Sequence, residues 1–220
     1  ENIQKIRIPN TIVDRICSMN SEDMTIVSEE FHELSVDKNV LSETGIEYIN
    51  SIDNVEGHFY RKRYLLNSYA DAISFLAKKE GLTYLYEAAQ NDKINEQIKP
   101  YMELLKDLLH ERYHISKEEL EQWQEIYRKR LQNDKIPREL TTVARNLWEK
   151  LTVEERFVKP LIQLLEMKKD IAEGAKFIKK LIECGTEDEE LSQIKEKLME
   201  IWNVCPEGEI LFNMIDKISD

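Results

Sequence analysis

Arg61-Lys62-Arg63-Tyr64-Leu65-Leu66-Asn67-Ser68-Tyr69-Ala70 decides how this chain reads. The stretch has a basic entry, an isolated amide near its middle and apolar positions that continue to Leu76, so it reads as one amphipathic helix. Only six Gly and five Pro interrupt 220 residues, which favours long helices and short connections on either side. From about Val55 onward the helical period predicts helices over 55–79, 82–91, 93–113, 116–132, 138–147, 152–169, 171–184, 187–203 and 207–218. Ser116 with Glu119, Thr152 with Glu155 and Thr186 with Glu189 fit the reciprocal S/T-x-x-E cap. Gly81 and Gly185 fall where helices should stop, and Pro100 and Pro160 each mark a kink or a boundary.

Residues 1–53 are different. Ile6 to Ile8, Met24 to Val27 and Leu34 to Val36 are short β-compatible runs between polar breaks. The expected fold class is therefore mainly α: a junction segment with short strands over 1–53, then a multi-helical domain over 54–220.

Composition bounds the function classes. At 41% hydrophobic, with three Trp, nine Tyr and six Phe, the chain is expected to fold around one good core or two small ones. A formal net charge of −12 repels polyanions, so neither nucleic acid nor an anionic membrane is an expected partner. One small phosphate could still be held by a local basic patch. Cys17, Cys184 and Cys205 form an odd set without a CxxC pair, which predicts reduced thiols and a cytoplasmic protein. No apolar run approaches the ~18 residues of a membrane span, and no signal peptide is visible. The chain starts at Glu1 without an initiator Met, so preceding sequence is expected.

Lys62 and Asn67 carry the candidate chemistry. Oxidising an alcohol requires a base for the hydroxyl proton and a donor facing the developing oxyanion. A lysine can act as that base once its pKa is brought from about 10.4 to roughly 7–8 by burial or nearby positive charge. Arg61 and Arg63 flank Lys62, and Leu65, Leu66 and Tyr69 follow, so both influences are expected; Asn67 offers an uncharged amide. The local pattern alone also suits a solvated basic turn with a surface amide.

A competing motif is His110-Glu111-Arg112-Tyr113-His114, literally H-E-x-x-H, whose histidines would share one zinc in a hydrolase. Charged Arg112 sits between the ligands, and Ile115 with the Ser116 cap predicts a helix end near Tyr113 that takes His114 off the ligand face. The only other histidines are His32 and His58, leaving Glu118, Glu119 and Glu125 as candidate carboxylate ligands. No metal is expected; the plainer reading is two exposed histidines favoured by the helix dipole.

Four further segments fall in order along the chain: Ile8-Pro9-Asn10-Thr11-Ile12-Val13-Asp14-Arg15-Ile16, Val27-Ser28-Glu29-Glu30-Phe31-His32-Glu33, Val143-Ala144-Arg145 with Leu151, and Glu155-Arg156-Phe157-Val158-Lys159-Pro160-Leu161. With the lysine–asparagine helix they resemble the polyol-specific long-chain dehydrogenases, the mannitol dehydrogenase and mannitol-1-phosphate 5-dehydrogenase family. The resemblance covers nearly the whole chain and matches that family's C-terminal substrate domain. It implies Lys62 as general base, Asn67 in the oxyanion site, Arg145 and Lys159 on the hydroxyls or phosphate of the substrate, and Asn10 and Asp14 near the cofactor. It also implies NAD as cofactor of the full-length protein, a small polyol or sugar phosphate as substrate, and a Rossmann cofactor domain as the missing N-terminal partner. No GxGxxG occurs in the chain, so this chain alone is not expected to bind NAD.

Two departures stand out. The family pattern places a histidine two residues beyond the asparagine's neighbour, at the position of Ala70, and a methyl group can neither orient a hydroxyl nor relay a proton. Leu147 and Glu149 stand where the family tends to have proline and a basic residue. Altered or weakened activity is expected; the alternative is a catalytically inactive interaction or regulatory domain of the same fold.

Overall fold

The computed structural model describes residues 7–19, 23–42, 44–186 and 189–218. Five short strands come first: β1 (Thr11–Asp14), β2 (Cys17–Met19), β3 (Ile26–Ser28), β4 (Glu33–Asp37) and β5 (Asn50–Ile52). Strand β4 is central, pairing antiparallel with β1 (Thr11 opposite Val36) and parallel with β5 (Ser35 opposite Asn50). Strands β2 and β3 form a separate antiparallel ribbon. Alternation along β1 turns Ile12 and Asp14 inward and Thr11 and Val13 outward. Of the three expected β-compatible runs, those at 24–27 and 34–36 overlap β3 and β4; Arg7 and Ile8 are irregular, and Ile6 lies outside the described residues.

The long helix does form, with a change of pitch inside it. It runs as α1 (Val55–Arg61), a π-helical segment (Lys62–Ser68) and α2 (Tyr69–Lys79). The left-handed Asn54 caps its start, accepting from Gly57 N at 3.2 Å and donating to Tyr113 O at 2.7 Å. The Gly81 backbone, at φ 75°, ends it where the sequence predicts a stop.

Next come α3 (Leu85–Gln90), α4 (Asp92–Tyr113), α5 (Lys117–Leu131), α6 (Leu140–Val143) and α7 (Leu147–Lys150). The chain closes with α8 (Lys159–Glu166), α9 (Ala172–Gly185), α10 (Leu191–Trp202) and α11 (Pro206–Lys217). Helix α2 is amphipathic in sequence but is buried on every face from Tyr69 to Ala77, because α3, α4, α6 and α9 all pack against it. Its two buried polar side chains are satisfied: Ser74 Oγ donates to Ala70 O at 2.7 Å, and Asp71 accepts from Lys150 and Arg156 at 3.0 Å each.

Three helix expectations are corrected. The 138–147 helix is two single turns separated by left-handed Asn146, whose φ of 54° breaks the run. The 152–169 helix starts at Lys159 with Pro160 in its first turn, so Pro160 is a boundary. Helix α10 begins at Leu191 rather than 187. Of the three caps only that of Ser116 forms, and in its hydroxyl half alone, with Ser116 Oγ accepting from Glu119 N at 3.1 Å. Thr152 Oγ1 donates back to Glu149 O and Thr186 Oγ1 to Ile182 O, so both hydroxyls serve the preceding turn. Pro100 sits inside α4, which continues through it.

Candidate active site

The π segment sets the site geometry. In an α-helix at 3.6 residues per turn, positions five apart diverge by about 140°. Bonds spaced i to i+5 widen the turn and return such a pair toward one face. Lys62 and Asn67 are five apart and span this segment, and both line one cleft of about 290 Å³ with Asp14, Arg15, Ile16, Cys17, Leu66, Ala70, Leu131 and Arg138. The segment is braced at its end, where Ser68 Oγ lies 3.1 Å from Arg63 O and 3.0 Å from Arg156 O. Tyr64, Leu65 and Leu66 are buried on its inner side.

Lys62 is about one-quarter exposed, donates to Val13 O and stands 3.9 Å from Asp14 Oδ1. Its flanking arginines, expected to crowd it with positive charge, point elsewhere. Arg61 is fully buried, donating to Glu33 Oε2 (3.0 Å) and Tyr127 OH (3.2 Å) and lying 3.7 Å above the Trp123 ring. Arg63 pairs with Glu155 at 2.7 Å. Burial first, then the Arg61 charge, holds the His58 imidazole below its usual pKa, and its Nδ1 lies 3.0 Å from Arg61 Nη1 as the acceptor a guanidinium requires. Asn67 is half-buried and its amide has no hydrogen bond to any described residue.

Asp14 is almost fully buried because strand alternation turns it inward, and Arg130 meets it with two bonds of 2.9 Å. The same guanidinium reaches Glu29 at 2.6 and 3.0 Å and stacks 4.0 Å from the Phe31 ring. Burial opposes the Arg130 charge, but the bonds and charges of Asp14 and Glu29 overcome it and hold its pKa above the usual value. Glu29 Oε1 also accepts from Ile16 N at 2.6 Å, so this clamp fixes the β1–β2 turn beside Lys62.

A second cleft of about 360 Å³ adjoins the first, and Arg138 lines both. It contains Asp71, Arg145, Asn146, Glu149, Lys150, Glu155 and Arg156. Asp71 ties down Lys150 and Arg156, and burial pushes its carboxyl above the usual range despite both cations. The structure thus brings Lys62, Asn67 and Asp14 into one cleft with Ala70 and places Arg145 in the next. Lys159, paired with Glu154, and Asn10, whose carbonyl accepts from Asp37 N at 3.1 Å, line neither. Arg138 was not singled out from sequence. It follows Pro137 in an irregular stretch with no motif around it, and only the fold brings it to the cleft that Ala70 also lines.

The H-E-x-x-H stretch behaves as its capping pattern predicts. Helix α4 ends at Tyr113, His114 is left-handed at φ 58°, and His110 Nδ1 lies 2.9 Å from Ile115 O. Glu111 pairs with Lys169. Among the described residues no three His, Cys, Asp or Glu gather as a metal-holding group. No helix of the described residues is long and apolar enough to cross a membrane.

A family model for the mannitol dehydrogenase C-terminal domain matches residues 54–200, from the cap of α1 through most of α10. The chain belongs to the mannitol dehydrogenase C-terminal domain family. A mannitol-1-phosphate 5-dehydrogenase of Caldanaerobacter subterraneus subsp. tengcongensis is 32% identical over 162 residues, 71% of this chain and 42% of that protein. Another mannitol-1-phosphate 5-dehydrogenase, from Streptococcus pneumoniae, is 29% identical over 166 residues, 74% of this chain and 44% of its own. The chain therefore spans less than half the length of these relatives. In fold, it superposes on Pseudomonas fluorescens mannitol 2-dehydrogenase, solved as a ternary complex with NAD and D-mannitol, with TM-score 0.74 and 16% identity, over 95% of this chain and 50% of that one. A substrate-free D-sorbitol dehydrogenase superposes with TM-score 0.65 at 16% identity, over 94% of this chain and 50% of its own. Membership in the mannitol dehydrogenase family accounts for a helical domain with a small strand portion ahead of it.

Proposed function

We propose that this chain is the substrate-binding and catalytic domain of an NAD-dependent oxidoreductase acting on a polyol of the mannitol-1-phosphate kind. The observation that carries the reading is the π segment, which sets Lys62 and Asn67 on one cleft with Asp14. The relatives named as mannitol-1-phosphate 5-dehydrogenases supply the substrate class.

In this reading the substrate hydroxyl replaces Val13 O as the partner of Lys62 Nζ, and Lys62 takes the hydroxyl proton as the carbonyl forms. The Asn67 amide, which has no bond to a described residue, donates to the oxygen as its negative charge grows. Leu66 and Leu131 line the cleft beside them and limit water there. Arg145 in the adjoining cleft takes the far end of the substrate, and Lys159 lends positive charge from outside both clefts. Asn10 and Asp14, on the N-terminal strands, would face the cofactor side.

NAD, when held by a separate cofactor domain, would accept the hydride. The described residues do not fit its pyrophosphate: Gly45 and Gly81, the glycines with positive φ, stand apart from any glycine-rich strand-to-helix turn. The reading is tested by Lys62→Ala in the protein joined to its cofactor domain, which should abolish polyol-phosphate oxidation while leaving the helical domain folded by circular dichroism. Turnover surviving that change removes Lys62 as base. Ala70 favours a second reading, an inactive domain of the same fold, since the methyl offers no proton relay at that position.

A further inference from the structure

Each cation of the two clefts can be accounted for except two. Lys62 is held by Val13 and Asp14, Lys150 and Arg156 by Asp71, and Arg15 Nε by Glu29 O. Arg138 and Arg145 have no hydrogen bond or ion pair with any described residue through their side chains. Arg138 is partly buried, so its guanidinium has lost some of its water without gaining a hydrogen-bonded partner among the described residues. Burial first lowers its pKa from the ordinary arginine value; the charge of Asp71 opposes this, and the smaller like-charge effect of Arg145 adds to it. Two like charges near enough to feel each other, one of them half withdrawn from water, form a site short of an anion. The position matters as much as the charge. Arg138 lines both the cleft of Lys62 and Ala70 and the adjoining cleft of Arg145, so an anion held there lies within a short substrate's length of Lys62.

The carboxylates around it are largely engaged. Asp71 is shared by Lys150 and Arg156 and Glu155 by Arg63 and Arg156; Glu149 keeps its charge, meeting only the Asn146 amide at 2.9 Å, but stands at the exposed rim where water screens it. The planar fork of arginine suits a phosphate, presenting paired donors to two of its oxygens.

We propose that Arg138, with Arg145 beside it, binds the phosphate of a phosphorylated polyol whose reacting hydroxyl lies at Lys62, making Arg138 the residue that selects a phosphomonoester over a free polyol. This rests on the Lys62 cleft being the substrate site, yet the anion site can be measured without turnover. The test is isothermal titration calorimetry of inorganic phosphate into the 220-residue chain at low ionic strength. Wild type should bind one phosphate with a dissociation constant below about 10 mM. Arg138→Ala should weaken binding at least about tenfold, the loss of one or two charge-assisted hydrogen bonds, and Arg145→Ala should weaken it also. Arg138→Lys should fall between, keeping the charge without the fork. Arg138 has no ion pair to lose, so the melting temperature of Arg138→Ala should stay near that of wild type, and Arg138→Lys carries the test if it does not. No phosphate binding by wild type, binding by Arg138→Ala or Arg138→Lys within twofold of wild type, or binding of gluconate in place of phosphate each overturns the proposal. Failure of Lys62→Ala to stop oxidation would sink the catalytic reading and leave phosphate binding by Arg138 standing.

Discussion

Arg130→Met tests how the N-terminal strands are held against the helical domain. Arg130 lies almost fully buried between Asp14 and Glu29, with four bonds of 2.6–3.0 Å to their oxygens. Methionine fills much of the aliphatic volume but leaves the buried Glu29 without its cation and the buried Asp14 with only Lys62, 3.9 Å away. Removing one member of such a buried pair costs about 3–5 kcal/mol, chiefly from the charge left uncompensated. That is a large share of the roughly 5–15 kcal/mol by which domains are stable. In a chain of this size each kcal/mol moves the melting temperature by about 2–4 °C, so a fall of about 6–20 °C is expected. Urea denaturation followed by far-ultraviolet circular dichroism measures the free energy directly. The triple variant Arg130→Met/Asp14→Asn/Glu29→Gln separates charge from packing, because its amides carry no charge and the amide oxygen introduced at position 29 can still accept from Ile16 N. It should recover at least half of the loss. A single-variant loss under about 1 kcal/mol, or a triple variant no better than the single, would refute the account of Arg130 as a charge clamp.

Other consequences can be checked the same way. Ala70→His in the protein with its cofactor domain should raise turnover about 10²-fold or more if the domain is a weakened dehydrogenase, the scale a positioned acid–base group contributes; steady-state kinetics showing no change would point to altered chemistry. His58 has a folded pKa below its unfolded value of about 6.5, so its contribution is present above that pH and is lost as pH falls through it. His58→Gln, whose amide oxygen can accept from Arg61, should therefore flatten the drop in unfolding free energy between about pH 7.5 and 5.5; equal slopes in the two proteins would exclude this. Gly208→Ala would put a Cβ 2.1 Å from Trp202 O, a backbone atom that cannot swing aside, and should cost about 1–3 kcal/mol in thermal unfolding. A neutral result would mean that the α10–α11 connection can shift.

The helical character of the domain was legible because its period is local: Val55 to Leu76, 93–113 and 116–132 each carry their own apolar spacing and end signals. What failed was boundary chemistry that depends on tertiary partners. Thr152 and Thr186 look like caps, but each hydroxyl finds a carbonyl of the preceding turn, and the helices start later. The short strands β1 and β2 went unread since each spans only three or four residues and draws its partners from β4 and β3. For the site, the resemblance pointed to Lys62, Asn67 and Asp14, which the fold gathers in one cleft. Arg138 was invisible because nothing local distinguishes it; its burial and its missing partner exist only once residues 131–138 fold beside α2.

The π segment ties these observations together. A widened turn gives up regular helical bonding, so it persists where surrounding structure holds it. Here the holding groups come from residues 154–157: Arg63 Nη2 donates to Glu154 O and pairs with Glu155, Ser68 Oγ meets Arg156 O, and Tyr101 OH donates to Phe157 O in the same stretch. That stretch carries the motif leading to Lys159, which itself lines neither cleft. Its residues therefore act on the site by fixing the turn that aligns Lys62 with Asn67. The five-residue spacing first visible in the sequence has a physical meaning only on that turn. Residues about 90 positions downstream set it, so the lysine–asparagine pair and the Glu155–Pro160 motif belong to one device.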